Sequence, residues 1–401
     1  MDRVSNMREQ KRKLALLSLS ISMLLYGISI TLGPLLTELP NIPKSYYIYL
    51  IVLPPLSLLS GNIVFGNISD RFGRKPVLVI TPAVFGIGLA FFIIAKSWIC
   101  YTVGVSLILF SIAGGDEPTI ISYLAESEEP QKRGKAIIIA SNFVNIGALL
   151  ASSIFLTFAS IGVEKAFISS ILVFSLIISV IIRKSLPESS SWLESRNSKY
   201  NIKEGLNGTS VGFLVSIAIS TVLTYGLISW VIGPYFFATY TSLIIFLYNA
   251  GNIAGGFIAY AIIERFSRNS FILSGFTGGF LTIVFTTIIL LLSHIGIWIF
   301  LPLLIINGIF AEATWGTRLV LESELFPTKY RATSISLIRA SAWIAYALSS
   351  VLIINFTIIE LILYDLAFWL LGLSGSIAWY IKGKDTRNIP IEEIDKLILG
   401  S

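Results

Sequence analysis

Twelve separate runs of about 20 mostly apolar residues fill this chain of 401 residues, and no other feature restricts its fold as tightly. Inside a bilayer every backbone N–H and C=O must be paired within the segment, so runs this long and unalternating form helices. They fall at approximately 14–36, 46–65, 77–95, 99–123, 136–160, 166–182, 211–234, 241–263, 271–292, 298–320, 333–355 and 362–381. The sixth is the shortest, and its start is open to extension across Glu164 and Lys165. The first run is too long for a signal-peptide core and lacks a small-x-small cleavage site, so it reads as a retained span. Only 13% of the residues are charged, about half the share of a soluble domain. A soluble enzyme, a secreted disulfide scaffold and a disordered regulator are all excluded. The single cysteine, Cys100, cannot close an internal disulfide.

An even number of spans puts both termini on one side, and the loop charges say which. Of the 29 Lys and Arg, 24 fall in the termini and alternate loops on the N-terminal side, while only Lys44, Lys96 and Lys165 fall opposite. Translocated loops disfavour Lys and Arg, so both termini are expected to be cytoplasmic, with the protein in the cell membrane. The net charge of +6 then records topology, and no nucleic-acid partner is implied.

The spans divide six and six. A cytoplasmic N-terminus (1–13) leads into a first half (14–182), a hydrophilic central loop (183–210), a second half (211–381) and a cytoplasmic tail (382–401). Three features recur across the loop in near-constant register. Gly61-Asn62-Ile63 matches Gly251-Asn252-Ile253, and Asp70-Arg71-Phe72-Gly73-Arg74 matches Glu264-Arg265-Phe266-Ser267-Arg268. After spans four and ten, Glu126…Pro130…Arg133 matches Glu322…Pro327…Arg331. A duplicated six-helix unit explains all three, and paired six-span halves around a central pocket are a recurring transporter design.

The stretch Gly66-Asn67-Ile68-Ser69-Asp70-Arg71-Phe72-Gly73-Arg74-Lys75 resembles the signature between helices two and three of the major facilitator superfamily. Gly66 permits close helix approach and Gly73 a tight turn, while Asp70 can cap or pair and Arg71, Arg74 and Lys75 present positive charge. Pro187-Glu188-Ser189 with Trp192-Leu193, Glu324-Leu325-Phe326-Pro327-Thr328 with Arg331, and Asp385-Thr386-Arg387 with Glu392-Glu393-Ile394 resemble motifs of its sugar-porter and metabolite–proton symporter branch. The resemblance covers essentially the whole chain. It implies an all-α membrane protein of twelve transmembrane helices in two pseudo-symmetric halves, working by alternating access as a functional monomer. Asp70, Glu126, Arg133 and Glu188, with Glu264, Arg265, Glu322, Glu324 and Arg331, are expected to cluster at the cytoplasmic helix ends as a latch. As exposed pairs each would contribute under about 1 kcal/mol.

Six ionisable residues lie within the spans: Asp116, Glu117, Glu312, Arg318, Arg339 and Asp365. Each costs about 2.5–3.5 kcal/mol at the bilayer centre, so each needs a partner or a function. Asp116 and Glu117, adjacent and about 100° apart on the helix, are candidate proton carriers, with a buried pairing to a second-half cation as the alternative for both. The run Gly114-Gly115-Asp116-Glu117-Pro118 resembles span four of phosphate–proton symporters, where the Asp takes part in coupling. Glu312, in a helix that lines the cavity in this fold, is a third candidate; Arg318 is placed to pair with Glu322 four residues on, and Asp365 near the membrane interface. Tyr26, Tyr225, Trp230, Asn307, Trp315 and Arg339 are candidate solute-binding residues. The first span carries no carboxylate, and Ser106 stands where the family often places an Arg.

No Walker loop, nucleophile elbow or His/Cys ligand cluster occurs, and His294 stands alone, so no enzyme activity, metal or cofactor is expected. The expectation is a secondary active transporter of a small polar solute, a sugar or an organic or inorganic anion, coupled to protons. Energy-independent facilitation, proton-coupled export and a transporter-like solute sensor are the alternatives.

Overall fold

The computed structural model describes residues 2–196, 207–292 and 297–399; His294 and most of the central loop lie outside them. Twelve helices are long and apolar enough to cross a membrane. They are span 1 (Lys13–Leu36), span 2 (Lys44–Phe72), span 3 (Arg74–Ile94), span 4 (Trp98–Ser127), span 5 (Pro130–Ile161) and span 6 (Glu164–Lys184). The second set is span 7 (Gly208–Phe236), span 8 (Ala238–Ile262), span 9 (Arg268–Leu291), span 10 (Trp298–Glu324), span 11 (Thr328–Asn355) and span 12 (Ile358–Lys382). Most run several residues beyond the apolar windows, because their charged ends continue as helix. Span 6 does begin at Glu164.

Packing follows a two-fold pattern in which each contact has a twin six spans on. Span 1 packs on span 5 as span 7 does on span 11, and span 2 on span 4 as span 8 does on span 10. Spans 3 and 6 pair at the periphery of the first half, spans 9 and 12 at that of the second. The seam between halves is span 2 along span 11 and span 5 along span 8, which are images of each other under the same rule. Burial agrees with this layout: spans 1 and 7 bury 72% of their most apolar window, against 22% for span 6 and 28% for span 12.

The repeated Gly-Asn pairs have a packing cause. A Cβ on Gly61 would lie 2.0 Å from the Phe110 carbonyl oxygen of span 4, and one on Gly251 would lie 2.2 Å from that of Ile305 in span 10. Only glycine lets these backbones touch. Spans 4 and 7 each contain a π-helical turn, Ile112–Asp116 and Leu227–Val231, which adds a residue and turns the following side chains. A short helix, Ser190–Ser195, follows span 6, and a tail helix, Ile391–Leu399, follows span 12.

Candidate functional site

At the end of the bundle carrying the basic loops, called the basic end below, two carboxylates each hold an arginine from either half. Glu126, ending span 4, accepts from Arg74 of its own half (2.7 Å) and from Arg331 of the other (2.8 Å). Glu324, ending span 10, accepts from Arg133 of the opposite half (2.7 Å) and pairs with Arg268 of its own (3.3 Å). Helix starts are clamped in the same two-fold manner. Asp70 receives Arg74 (2.5 Å) and the Thr333 N–H beginning span 11 (2.6 Å), while Glu264 receives the Gly134 N–H of span 5 (2.9 Å). Glu188 accepts from the Arg74 and Lys75 N–H groups (3.0 and 3.1 Å), and Asp385 from the Arg268 N–H (2.9 Å).

Gly73, at φ 109°, makes the turn between spans 2 and 3, and a Cβ there would meet Glu188 Oε2 at 2.2 Å. Gly66 brings span 2 against span 11, where a Cβ would lie 2.2 Å from Ser336 Oγ. The tail helix adds Asp395, which pairs with Arg331 (3.3 Å) and accepts from the Thr328 N–H (3.1 Å). Burial pushes the Asp395 carboxyl above the usual carboxylate range against the pull of Arg331.

Several sequence expectations change here. The latch pairs are buried rather than exposed, Arg74, Glu126, Glu324 and Arg331 having no exposed side-chain surface, so the weak-pair magnitude does not apply. Arg71 and Arg265 are exposed; the second-half arginine that holds Glu324, beside Arg133 of the first half, is Arg268. Glu322 is not part of the latch, because it lies two residues before Glu324 and therefore faces inward on span 10.

Deeper along the seam lies a buried cluster drawn from both halves. Arg339 of span 11 places Nη1 2.9 Å from Glu117 Oε2 of span 4 and donates from Nε to Glu322 Oε2 at 2.9 Å. Arg318 lies 3.6 Å from Glu322 Oε1, the pairing four residues apart that its spacing predicts, and its guanidinium stacks 4.3 Å from the Trp315 ring centroid. Tyr26 of span 1 is within electrostatic reach of Glu117, Arg339 and Arg318. Glu117 Oε1, Glu322 Oε1, Arg318 Nε and Nη1, and Arg339 Nη2 have no hydrogen-bond partner among the described residues. Beside the cluster, Glu312 accepts from Ser141 of span 5 (3.1 Å) and is within hydrogen-bonding reach of Asn145.

Rings continue from there. Tyr225 lies 5.6 Å from Trp315 and 5.1 Å from Trp230, which in turn lies 5.3 Å from Tyr346 and 5.9 Å from Trp343. Asn307 does not join this group: it bonds Thr282 (2.9 Å) and Tyr248 (3.4 Å) within the second half.

Asp116 also departs from expectation. Its partner is Arg183, the last buried residue of span 6, with Thr81 donating a further hydrogen bond and Ser22 of span 1 accepting from the same arginine. The pair is internal to the first half, not a bridge to a second-half cation. Arg183 reads as loop charge in the sequence because it sits at a span's end, yet its guanidinium folds back into the bundle to reach the Leu78 carbonyl (2.7 Å). Asp365 is not interfacial either. It lies on the stripe Leu361, Asp365, Trp369, Gly372, Ser376 that span 12 turns inward, with Trp369 within hydrogen-bonding reach.

At the end of the bundle away from the basic loops, the far end, Glu38 between spans 1 and 2 accepts from the Ser242 N–H that begins span 8 (2.7 Å). The halves are therefore tied at both ends. Burial raises the Glu38 carboxyl above its ordinary value although the Ser242 bond opposes it.

The sequence profile of the Major Facilitator Superfamily matches residues 14–241, more than half of the chain. The chain belongs to the Major Facilitator Superfamily. The profile described as "Sugar (and other) transporter" matches residues 210–398 of this superfamily member. Curated relatives include the putative niacin/nicotinamide transporter NiaP of Bacillus subtilis, 29% identical over 154 residues, and the 3-(3-hydroxy-phenyl)propionate transporter of Escherichia coli, 30% identical over 145. Each alignment covers 36% of this chain and 35% of the relative, so the match spans about a third of their length. The proton:xylose symporter XylE of E. coli, bound to 6-bromo-6-deoxy-D-glucose, superimposes with a TM-score of 0.75 over 97% of this chain and 99% of that one. At 17% identity this is a likeness of fold, and the fold is the twelve-helix one that the motifs imply.

Proposed function

We propose that this superfamily member is a proton-coupled secondary transporter of a small polar solute, an anion in preference to a neutral sugar, working as a monomer by alternating access at the seam. The observation that carries the reading is the buried cluster of Glu117, Glu322, Arg318 and Arg339, which spans the two halves and leaves donors and acceptors without hydrogen-bond partners. Unpaired polar atoms at that depth are expensive unless a ligand or water meets them. The two guanidinium groups supply fixed donors for an anion. One of the relatives is named for an acid, a propionate.

Charge counting at the cluster gives a reason for coupling. With Glu312 included, three carboxylates face two guanidinium groups, so an arriving anion adds to an existing negative excess. Low dielectric makes that excess costly, and a proton taken up with the anion relieves it. Glu117 and Glu312 touch the seam and are the acceptors closest to the solute. Asp116, bound to Arg183, serves as a second titratable pair inside the first half. The basic end faces the cytoplasm of the cell membrane, following the distribution of Lys and Arg.

Proteoliposomes with an imposed pH gradient test the reading, using radiolabelled D-glucose, D-xylose, lactate, benzoate and phosphate as probes. An acid should accumulate against its gradient, and Glu312→Gln should keep exchange while losing accumulation. Equal uptake with and without the gradient refutes the coupling.

A further inference from the structure

The seam cluster continues through Trp315 into a wall of rings, and that wall narrows the solute. Arg318 does not stand free: its guanidinium lies on the face of Trp315, with Nε and Nη1 lacking hydrogen-bond partners. Stacking of this type fixes the plane of the guanidinium and aims its edge. The edge is the part that binds a carboxylate through two parallel bonds. From Trp315 the wall runs on through Tyr225, Trp230 and Tyr346, at centroid separations of 5.6, 5.1 and 5.3 Å. One polar hydrogen on that wall, the buried Trp230 indole N–H, has no partner among the described residues.

We infer that the seam site takes a monocarboxylate carried on a flat aromatic ring that bears a hydrogen-bond acceptor, such as a ring nitrogen or a hydroxyl oxygen. The carboxylate meets Arg318 and Arg339, the ring lies along the wall of Trp315, Tyr225 and Trp230, and the ring acceptor takes the free indole hydrogen. A sugar suits the site less well. It needs several amide and carboxylate partners for its hydroxyls, and the amide against the ring wall, Asn249, is engaged by Tyr225 (2.7 Å). Inorganic phosphate would satisfy the arginines but leave the ring wall unused. This inference rests on the seam being the solute site, as proposed above.

The test is binding to the full-length chain in nanodiscs, followed by titration calorimetry with five probes: nicotinate, benzoate, cyclohexanecarboxylate, acetate and D-glucose. Nicotinate and benzoate should bind about 2- to 10-fold more tightly than cyclohexanecarboxylate, which has the same charge and a similar size but no π face. Trp315→Leu should erase that preference and also weaken acetate, because Arg318 loses the ring that orients it, and Trp315→Phe should restore most of both, which separates ring stacking from misfolding. Arg339→Gln should weaken every acid. If cyclohexanecarboxylate binds as tightly as benzoate, the aromatic inference is overturned while the seam site stands. If acids bind but neither Trp315→Leu nor Arg339→Gln alters them, the seam reading itself fails. Tight D-glucose binding with no acid binding overturns both.

Discussion

Replacing Glu126 by Gln tests the latch at its centre. The substitution keeps shape and volume but removes the charge that Arg74 (2.7 Å) and Arg331 (2.8 Å) share. Only the Arg331 bond crosses the seam, so only it is lost when the basic end opens. A hydrogen bond between charged groups contributes about 1.5–3 kcal/mol and a neutral one about 0.5–1.5 kcal/mol, so the closed form should lose about 1–2 kcal/mol. That is about a 5- to 30-fold shift in the closed-to-open ratio. Spin labels at Phe72→Cys and Phe266→Cys, both exposed and on opposite halves, report the opening by pulsed distance measurement in a Cys100→Ser background. The longer distance should gain population, and Glu324→Gln, the twin position, should produce a shift of similar size. An unchanged distance distribution in a folded Glu126→Gln protein would refute the latch.

Three more outcomes follow from the geometry. Arg183→Gln leaves the Asp116 carboxylate buried without its cation, so thermal unfolding should show a loss of about 3–5 kcal/mol, largely recovered by adding Asp116→Asn; a double variant no better than the single one contradicts the pairing. Gly73→Val forces a side chain into a φ of 109° and against Glu188, so the melting temperature should fall by several degrees, with partial recovery in the Glu188→Ala background. The Glu38 tie should be pH-dependent. Its carboxyl lies above the ordinary value when tied and returns toward it when solvated, so the tied form binds protons more tightly; closure at the far end strengthens as pH falls through that interval and weakens above it. Labels at Ile161→Cys and Trp298→Cys should show this dependence, and Glu38→Gln should flatten it.

Much of the architecture is readable from sequence because lipid leaves few choices. Apolar length alone places all twelve helices, and the Gly61 and Gly251 repeats mark real backbone contacts. Within the Gly66–Lys75 stretch, Asp70, Gly73 and Arg74 each take part in a definable bond or turn. What the sequence does not resolve is which face of a helix a charged residue occupies near its end. Glu322 and Glu324 differ by two residues, yet one serves the seam cluster and the other the latch. Strict register would have separated them: Glu324 and Arg331 stand at one common offset from Glu126 and Arg133, and Glu322 does not. Arg183 carries a weaker signal, since a long side chain at a span's end can reach toward water or back into the bundle. Asp365 could have been found on the inward stripe of span 12, where small and aromatic residues recur every three or four positions.

The π turn at Ile112–Asp116 ends where two adjacent acids part company. Asp116 holds Arg183 within the first half, and Glu117 holds Arg339 across the seam. A single peptide bond joins them, so they behave as the two arms of a crank. Any rotation of span 4 at this turn that withdraws Glu117 from its partner must also swing Asp116 against Arg183. A rotation of span 4 at this turn would reset the interior of one half and the joint between the halves together.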